Sequence, residues 1–115
     1  MKKFNSLTEK IIKFRDERDW KQFHNPKDSA ISLSLEASEL LEHFQWKTKK
    51  EVSEYVKRNK KEIGEELADV LFWVLLMSHD LNIDILKDSI EKLEKNKDKY
   101  PIQKSKSKHI KYNRL

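Results

Sequence analysis

The sequence predicts an all-α fold, an antiparallel bundle of about four to five helices whose core is completed by oligomerisation. Three observations lead there. Apolar residues recur at three- and four-residue intervals through most of the chain, and one glycine and two prolines are all that punctuate its 115 residues. Charged residues (39%) slightly exceed hydrophobic ones (37%), the balance of amphipathic helices in a chain of one-domain size.

Phe4, Leu7, Ile11, Ile12 and Phe14 set out a first helix to about Arg18. Asn5 or Ser6 is its expected N-cap, and Glu9, Lys10, Lys13 and Arg15 its outer face. The next stretch, DWKQFHNPK, is aromatic for a loop, with Trp20, Phe23 and His24 close together and Asn25-Pro26 favouring a turn. Those rings either pin the loop to the bundle or form a slot for a nucleobase, since flat rings stack on bases. Asp28 or Ser29 is expected to cap a second helix, closed by Trp46, whose apolar set Ile31, Leu33, Leu35, Ala37, Leu40, Leu41 and Phe44 covers more than one face.

Thr48-x-x-Glu51 is a capping box that opens a third helix, Lys49 to about Arg58. A fourth helix should run from about Lys60 to Leu81. Its segment VLFWVLLM is apolar all round and needs cover from its own chain or a neighbouring subunit, so a homodimer or homotetramer is the economical expectation. Gly64 costs this helix roughly 1 kcal/mol relative to alanine, explicable by close packing of another backbone or by a mild kink. Asp84 can cap a fifth helix to about Lys99, which Pro101 ends. Lys92, Asn96 and Lys99 line one side of it, either as its wet face or as cations and an amide suited to a nucleotide's phosphates and sugar.

The net charge of +5 has a definite address. Residues 102–115 hold Lys104, Lys106, Lys108, Lys111 and Arg114 and no acid; removing these five from the 25 basic residues leaves 20 against 20 acidic ones in residues 1–101. The chain therefore reads as one helical domain, 1–101, and a basic C-terminal tail, 102–115. The tail is plainly read as a solvated terminus; contact with nucleic acid or a polyphosphate substrate is the functional alternative. With no cysteine, a disulfide framework and thiolate-held metals are excluded. MKKFNSLTEK lacks the apolar core of a signal peptide, and Val70 to Met77 is far shorter than the roughly 20 residues that span a bilayer. A soluble, cytoplasmic protein without a membrane partner is expected.

The chemistry is expected at two carboxylate pairs, Glu36-x-x-Glu39 and Glu66-x-x-Asp69, each set in an apolar helical pattern. Residues three apart stand on one helix face, so each pair presents two acids in one direction beside the core, at a cost of several kcal/mol per ion unless a cation compensates. Three compensations compete. The acids are paired with Lys or Arg, or they belong to a di-iron bundle, or they bind Mg²⁺ through oxygens alone. The di-iron bundle needs Glu-x-x-His, whereas His24, His43, His79 and His109 have Lys21, Leu40, Leu76 and Lys106 three positions earlier.

The segments ERDWKQFHNP, LEASELLEHFQW, EELADVLFWVLL, the NID turn and KNKDKYP resemble, in order and spacing, the all-α nucleoside triphosphate pyrophosphohydrolases of the MazG superfamily, nearest its small dCTP pyrophosphatase-like and MazG-like members. The resemblance covers roughly Phe4 to Pro101. It implies hydrolysis of a nucleoside triphosphate, dCTP or a modified or non-standard deoxynucleotide, to monophosphate and pyrophosphate, as nucleotide-pool house-cleaning. It implies Glu36, Glu39, Glu66 and Asp69 as catalytic, Mg²⁺-binding residues, with Mn²⁺ as a possible substitute. Trp20, His24 and Trp46 match base-pocket positions, and Lys92 and Asn96 match positions that help hold the nucleotide. Two departures touch the base pocket. Ile11 stands where those relatives have a histidine, and Trp73, also assigned to substrate binding, stands where they have a tyrosine. The competing class is a non-catalytic nucleotide- or nucleic-acid-binding module built on the aromatic loop and basic tail; nucleic acid is the less favoured partner.

Overall fold

The computed structural model describes residues 2–115 and is helical, with no strand among them. The chain packs as two units, one ending at Asn82 and the other Ile83–Leu115. The first comprises α1 (Lys2–Glu17), a 3-10 turn (Lys21–Phe23), α2 (Pro26–Glu42), α3 (Lys49–Arg58) and α4 (Lys60–Asp80). The second comprises α5 (Ile85–Lys99), the short α6 (Ile102–Ser105) and a 3-10 turn (Tyr112–Arg114).

α4 is the centre of the first unit because it carries the longest apolar run. α1, α2 and α3 all pack on it, α2 most extensively. Leu75 and Leu76 are almost completely buried, joined by Ile11 from α1; each contributes about 1.5–3 kcal/mol by leaving water. The rest of VLFWVLLM is half-buried, and Leu67 on α4 with Ile31, Leu35 and Leu41 on α2 stay exposed. Within one chain the apolar cover is incomplete.

Local chemistry sets the helix ends. The Thr48 hydroxyl accepts from Glu51 N–H and the Glu51 carboxylate from Thr48 N–H, both at 3.2 Å, so the expected capping box is present. Asp84 accepts from Lys87 N–H, as its position predicts.

Several expectations are corrected. α2 begins at Pro26, and its cap is Asn25, not Asp28 or Ser29: Asn25 Oδ1 accepts from Asp28 N–H at 2.9 Å while its amide donates to the Asp28 carboxylate at 2.7 Å. Proline at the first helical position loses no hydrogen bond, so Asn25-Pro26 starts a helix where a turn was expected. α1 is already helical at Lys2, so Asn5 and Ser6 lie inside it and cap nothing. Arg15, assigned to the outer face, is 1% exposed. A Cβ on Gly64 would meet nothing within 4 Å, so no backbone of this chain closes on it.

In the second unit, the stretch after Pro101 has structure of its own. The Tyr112 ring meets Tyr100 edge-on at 6.0 Å and receives the Lys99 ammonium 4.8 Å from its centre. Among the described residues no helix is long and apolar enough to cross a membrane.

Candidate functional site

The two carboxylate pairs stand on α2 and α4, the most extensively packed helices. Oxygens of Glu36, Glu39 and Glu66 lie within 4.8 Å of one another. Asp69, one turn beyond Glu66, falls outside that set, yet its charge acts on both Glu36 and Glu66. One oxygen each of Glu36 and Glu66 is buried with no hydrogen-bond partner. Among the described residues the ion pairs are Arg15 with Asp16 and Asp80, and Lys97 with Glu94, so no Lys or Arg neutralises the cluster.

The protein's electrostatics register that imbalance. Burial, a proton shared with Glu39, and repulsion from Glu39, Asp69 and Glu66 push the Glu36 carboxyl up to about 7. Glu66 is also raised, by burial and then by Glu39 and Asp69, with His43 acting weakly in the opposite sense. Crowded, oxygen-only donors with buried unpartnered lone pairs fit a hard divalent cation, which compensates the charge and occupies those lone pairs. A hollow of about 400 Å³ opens here, lined by Glu39, Glu42, His43, Tyr55 and Glu66. No sequence spacing announces the His43–Tyr55 side of this hollow, where His43 Nδ1 lies 2.6 Å from the Tyr55 hydroxyl; the Lys47 ammonium sits 4.3 Å from the Tyr55 ring centre.

The loop after α1 builds an aromatic chain on the same unit. Trp20 meets Phe14 edge-on at 5.6 Å, Phe14 meets Phe72 at 6.1 Å, Phe72 meets Trp73 at 5.3 Å, and Trp73 meets His24 at 5.2 Å. The rings thus pin the loop to the helices, as the first of the two loop readings expects, while Trp20 and Phe23 keep exposed surface. Burial, then the positive charge of Arg15, lowers the His24 pKa against a smaller opposing effect of Asp80. His24 is thus a neutral imidazole at pH 7, able to offer one donor and one acceptor.

Trp46 stands apart. The residue is 92% exposed, and its backbone is left-handed, with φ 65°. That conformation costs a non-glycine residue about 1–2 kcal/mol, and the outward ring recovers none of it by burial. Lys92 and Asn96 lie four apart on α5 in the second unit, beside Ser89 and Leu93 on a groove of about 800 Å³.

Residues 31–115 match the MazG-like family. The chain is 35% identical over 104 residues to dCTP pyrophosphatase 1 of Rattus norvegicus, covering 89% of this chain and 61% of that protein. The Homo sapiens dCTP pyrophosphatase 1 is likewise 35% identical, with the same coverage; the chain therefore spans about three-fifths of the length of the curated relatives it matches. A crystal structure of a pyrophosphatase from Archaeoglobus fulgidus superposes with a TM-score of 0.81 at 41% identity, over 84% of this chain and 91% of that one.

Proposed function

Because the chain belongs to the MazG-like family, we propose that it is a nucleoside triphosphate pyrophosphohydrolase, acting on dCTP or a modified deoxynucleotide to release the monophosphate and pyrophosphate. The observation that carries this reading is the uncompensated carboxylate cluster on α2 and α4. A purely structural set of acids would be neutralised by Lys or Arg, and this one is not. The relatives named dCTP pyrophosphatase supply the substrate class.

Glu36, Glu39, Glu66 and Asp69 would hold Mg²⁺, with Mn²⁺ able to substitute. A divalent cation there would draw charge from phosphate oxygens and make a bound water more acidic. The protein's own groups do the rest. Carboxylate oxygens accept the proton and orient the water that cleaves the anhydride between the α and β phosphates. Trp20, His24 and Trp73 receive the base by stacking, and neutral His24 can hydrogen-bond its edge. For Lys92 and Asn96, on α5 of the second unit, the family resemblance carries a role in holding the nucleotide, and the exposed Trp46 offers a further stacking face.

Two positions bear on the base preference. Ile11 is buried and apolar, and Trp73 has no hydroxyl, so two polar base contacts are absent and discrimination between bases falls, since hydrogen bonds to base edges separate substrates more sharply than pocket volume. A second copy of the chain would cover Ile31, Leu35, Leu41 and Leu67, giving a homodimer or homotetramer.

The test is incubation with a panel of ribo- and deoxynucleoside triphosphates, natural and modified, with Mg²⁺ or Mn²⁺, and separation of the products. Monophosphate is expected from at least one deoxynucleotide; none from any member of the panel would remove the enzyme reading and leave the binding module.

A further inference from the structure

A second polar cluster lies away from the carboxylates, and the metal chemistry does not use it. Arg15, near the end of α1, is 1% exposed. Its Nη1 donates to Asp80 Oδ2 at 2.7 Å, on the last residue of α4. Its Nε lies 3.4 Å from Asp16 and has no hydrogen-bond partner. The Arg15 carbonyl accepts from the N–H groups of Arg18 and Trp20 at 3.1 and 3.2 Å. One residue thus ties the first ring of the aromatic loop with its main chain and grips α4 with its side chain. Asp80 follows Trp73 by two helical turns, so the grip falls on the same side of α4 as the ring that His24 meets edge-on.

Stability alone gives a weak reason for such a pair, because well-packed apolar side chains commonly serve as well as a buried ion pair. We propose that Arg15, acting through Asp80, is a positioning residue: it fixes the loop from Trp20 to His24 against α4 and so sets the geometry of the slot that receives the base. This rests on the nucleotide reading above. The charged groups acting on His24 are Arg15 from α1 and Asp80 from α4, with opposite effects on its protonation, so their removal leaves distinguishable traces.

The test compares Arg15→Met, Asp80→Asn and the double variant Arg15→Met/Asp80→Leu with the wild type. With the best triphosphate from the panel, each is expected to raise KM about 10- to 100-fold, with kcat changing much less, because the carboxylates are untouched. The double variant leaves neither charge unpaired; if it regains thermal stability but keeps the high KM, positioning is upheld, and if KM returns to the wild-type value the pair is structural and the proposal falls. By NMR the His24 titration midpoint should rise in Arg15→Met and fall in Asp80→Asn. Midpoints unmoved in both would overturn the proposal, even if the protein hydrolyses no nucleotide, an outcome that would sink only the enzyme reading. Should no variant fold, the wild type decides: the Arg15 Nε–H must exchange slowly with solvent, and exchange at the rate of free arginine would refute the clamp.

Discussion

Lowering the pH from 8 to 6 should weaken Mg²⁺ binding by a calculable amount. The Glu36 carboxyl is pushed up to about 7, against an ordinary 4.5, because it is partly shielded from water and faces Glu39, Asp69 and Glu66. A divalent cation needs it ionised. The ionised fraction is ~0.9 at pH 8 and ~0.1 at pH 6, so Glu36 alone makes the apparent affinity about tenfold weaker, and binding at pH 7 releases about half a proton. Glu66 is raised by similar causes, so its contribution has the same sign. Isothermal titration calorimetry with Mg²⁺ in two buffers of different protonation enthalpy measures affinity and proton release together. The sign for stability follows: with its folded pKa above its unfolded one, Glu36 stabilises the metal-free fold most below about 4.5, and that contribution is lost as the pH rises through about 7. Mg²⁺ should restore it. An affinity flat from pH 6 to 8, with no proton released, would refute the assignment of these acids to a cation.

Further outcomes are expected. Glu66→Gln should lower turnover by more than about 100-fold while circular dichroism shows unchanged helix content, since the change removes one acid from a self-repelling cluster; loss of the fold would mark the pair as structural. Trp46→Gly relieves a left-handed backbone at an exposed ring, so the melting temperature should hold or rise while nucleotide affinity falls, as read by calorimetry. Removing residues 102–115 should preserve turnover; loss of a steeply salt-dependent nucleotide or nucleic-acid binding instead, in a gel-shift or anisotropy titration, would favour the binding module. Leu75→Ala, at a nearly sealed position, should cost about 2–5 kcal/mol in urea unfolding.

What could be read from the sequence followed its local chemistry. α3 and α5 were legible because Thr48, Glu51 and Asp84 act on groups three residues away, and α4 because Ile63, Leu67, Val70, Leu71, Val74 and Met77 keep the helical period over about four turns. The carboxylates were legible for the same reason, three-residue spacing within each helix, and the structure adds that α2 and α4 bring Glu36, Glu39 and Glu66 together. Asn25-Pro26 misled because those residues serve equally as a turn and as a helix start. The less visible features depend on contacts distant in the chain. Arg15 looked like one more exposed cation until the fold placed Asp80, 65 residues away, within hydrogen-bond reach. His43 and Tyr55 belong to a helix cap and a neighbouring helix, and no spacing rule joins them.

A phosphorus NMR time course with dCTP and Mg²⁺ tests the pyrophosphohydrolase reading at the bond that breaks. dCMP and pyrophosphate should appear in equal amounts, dependent on the metal and lost in Glu66→Gln. Either dCDP with orthophosphate, or unchanged production of dCMP after Glu66→Gln, would contradict that reading.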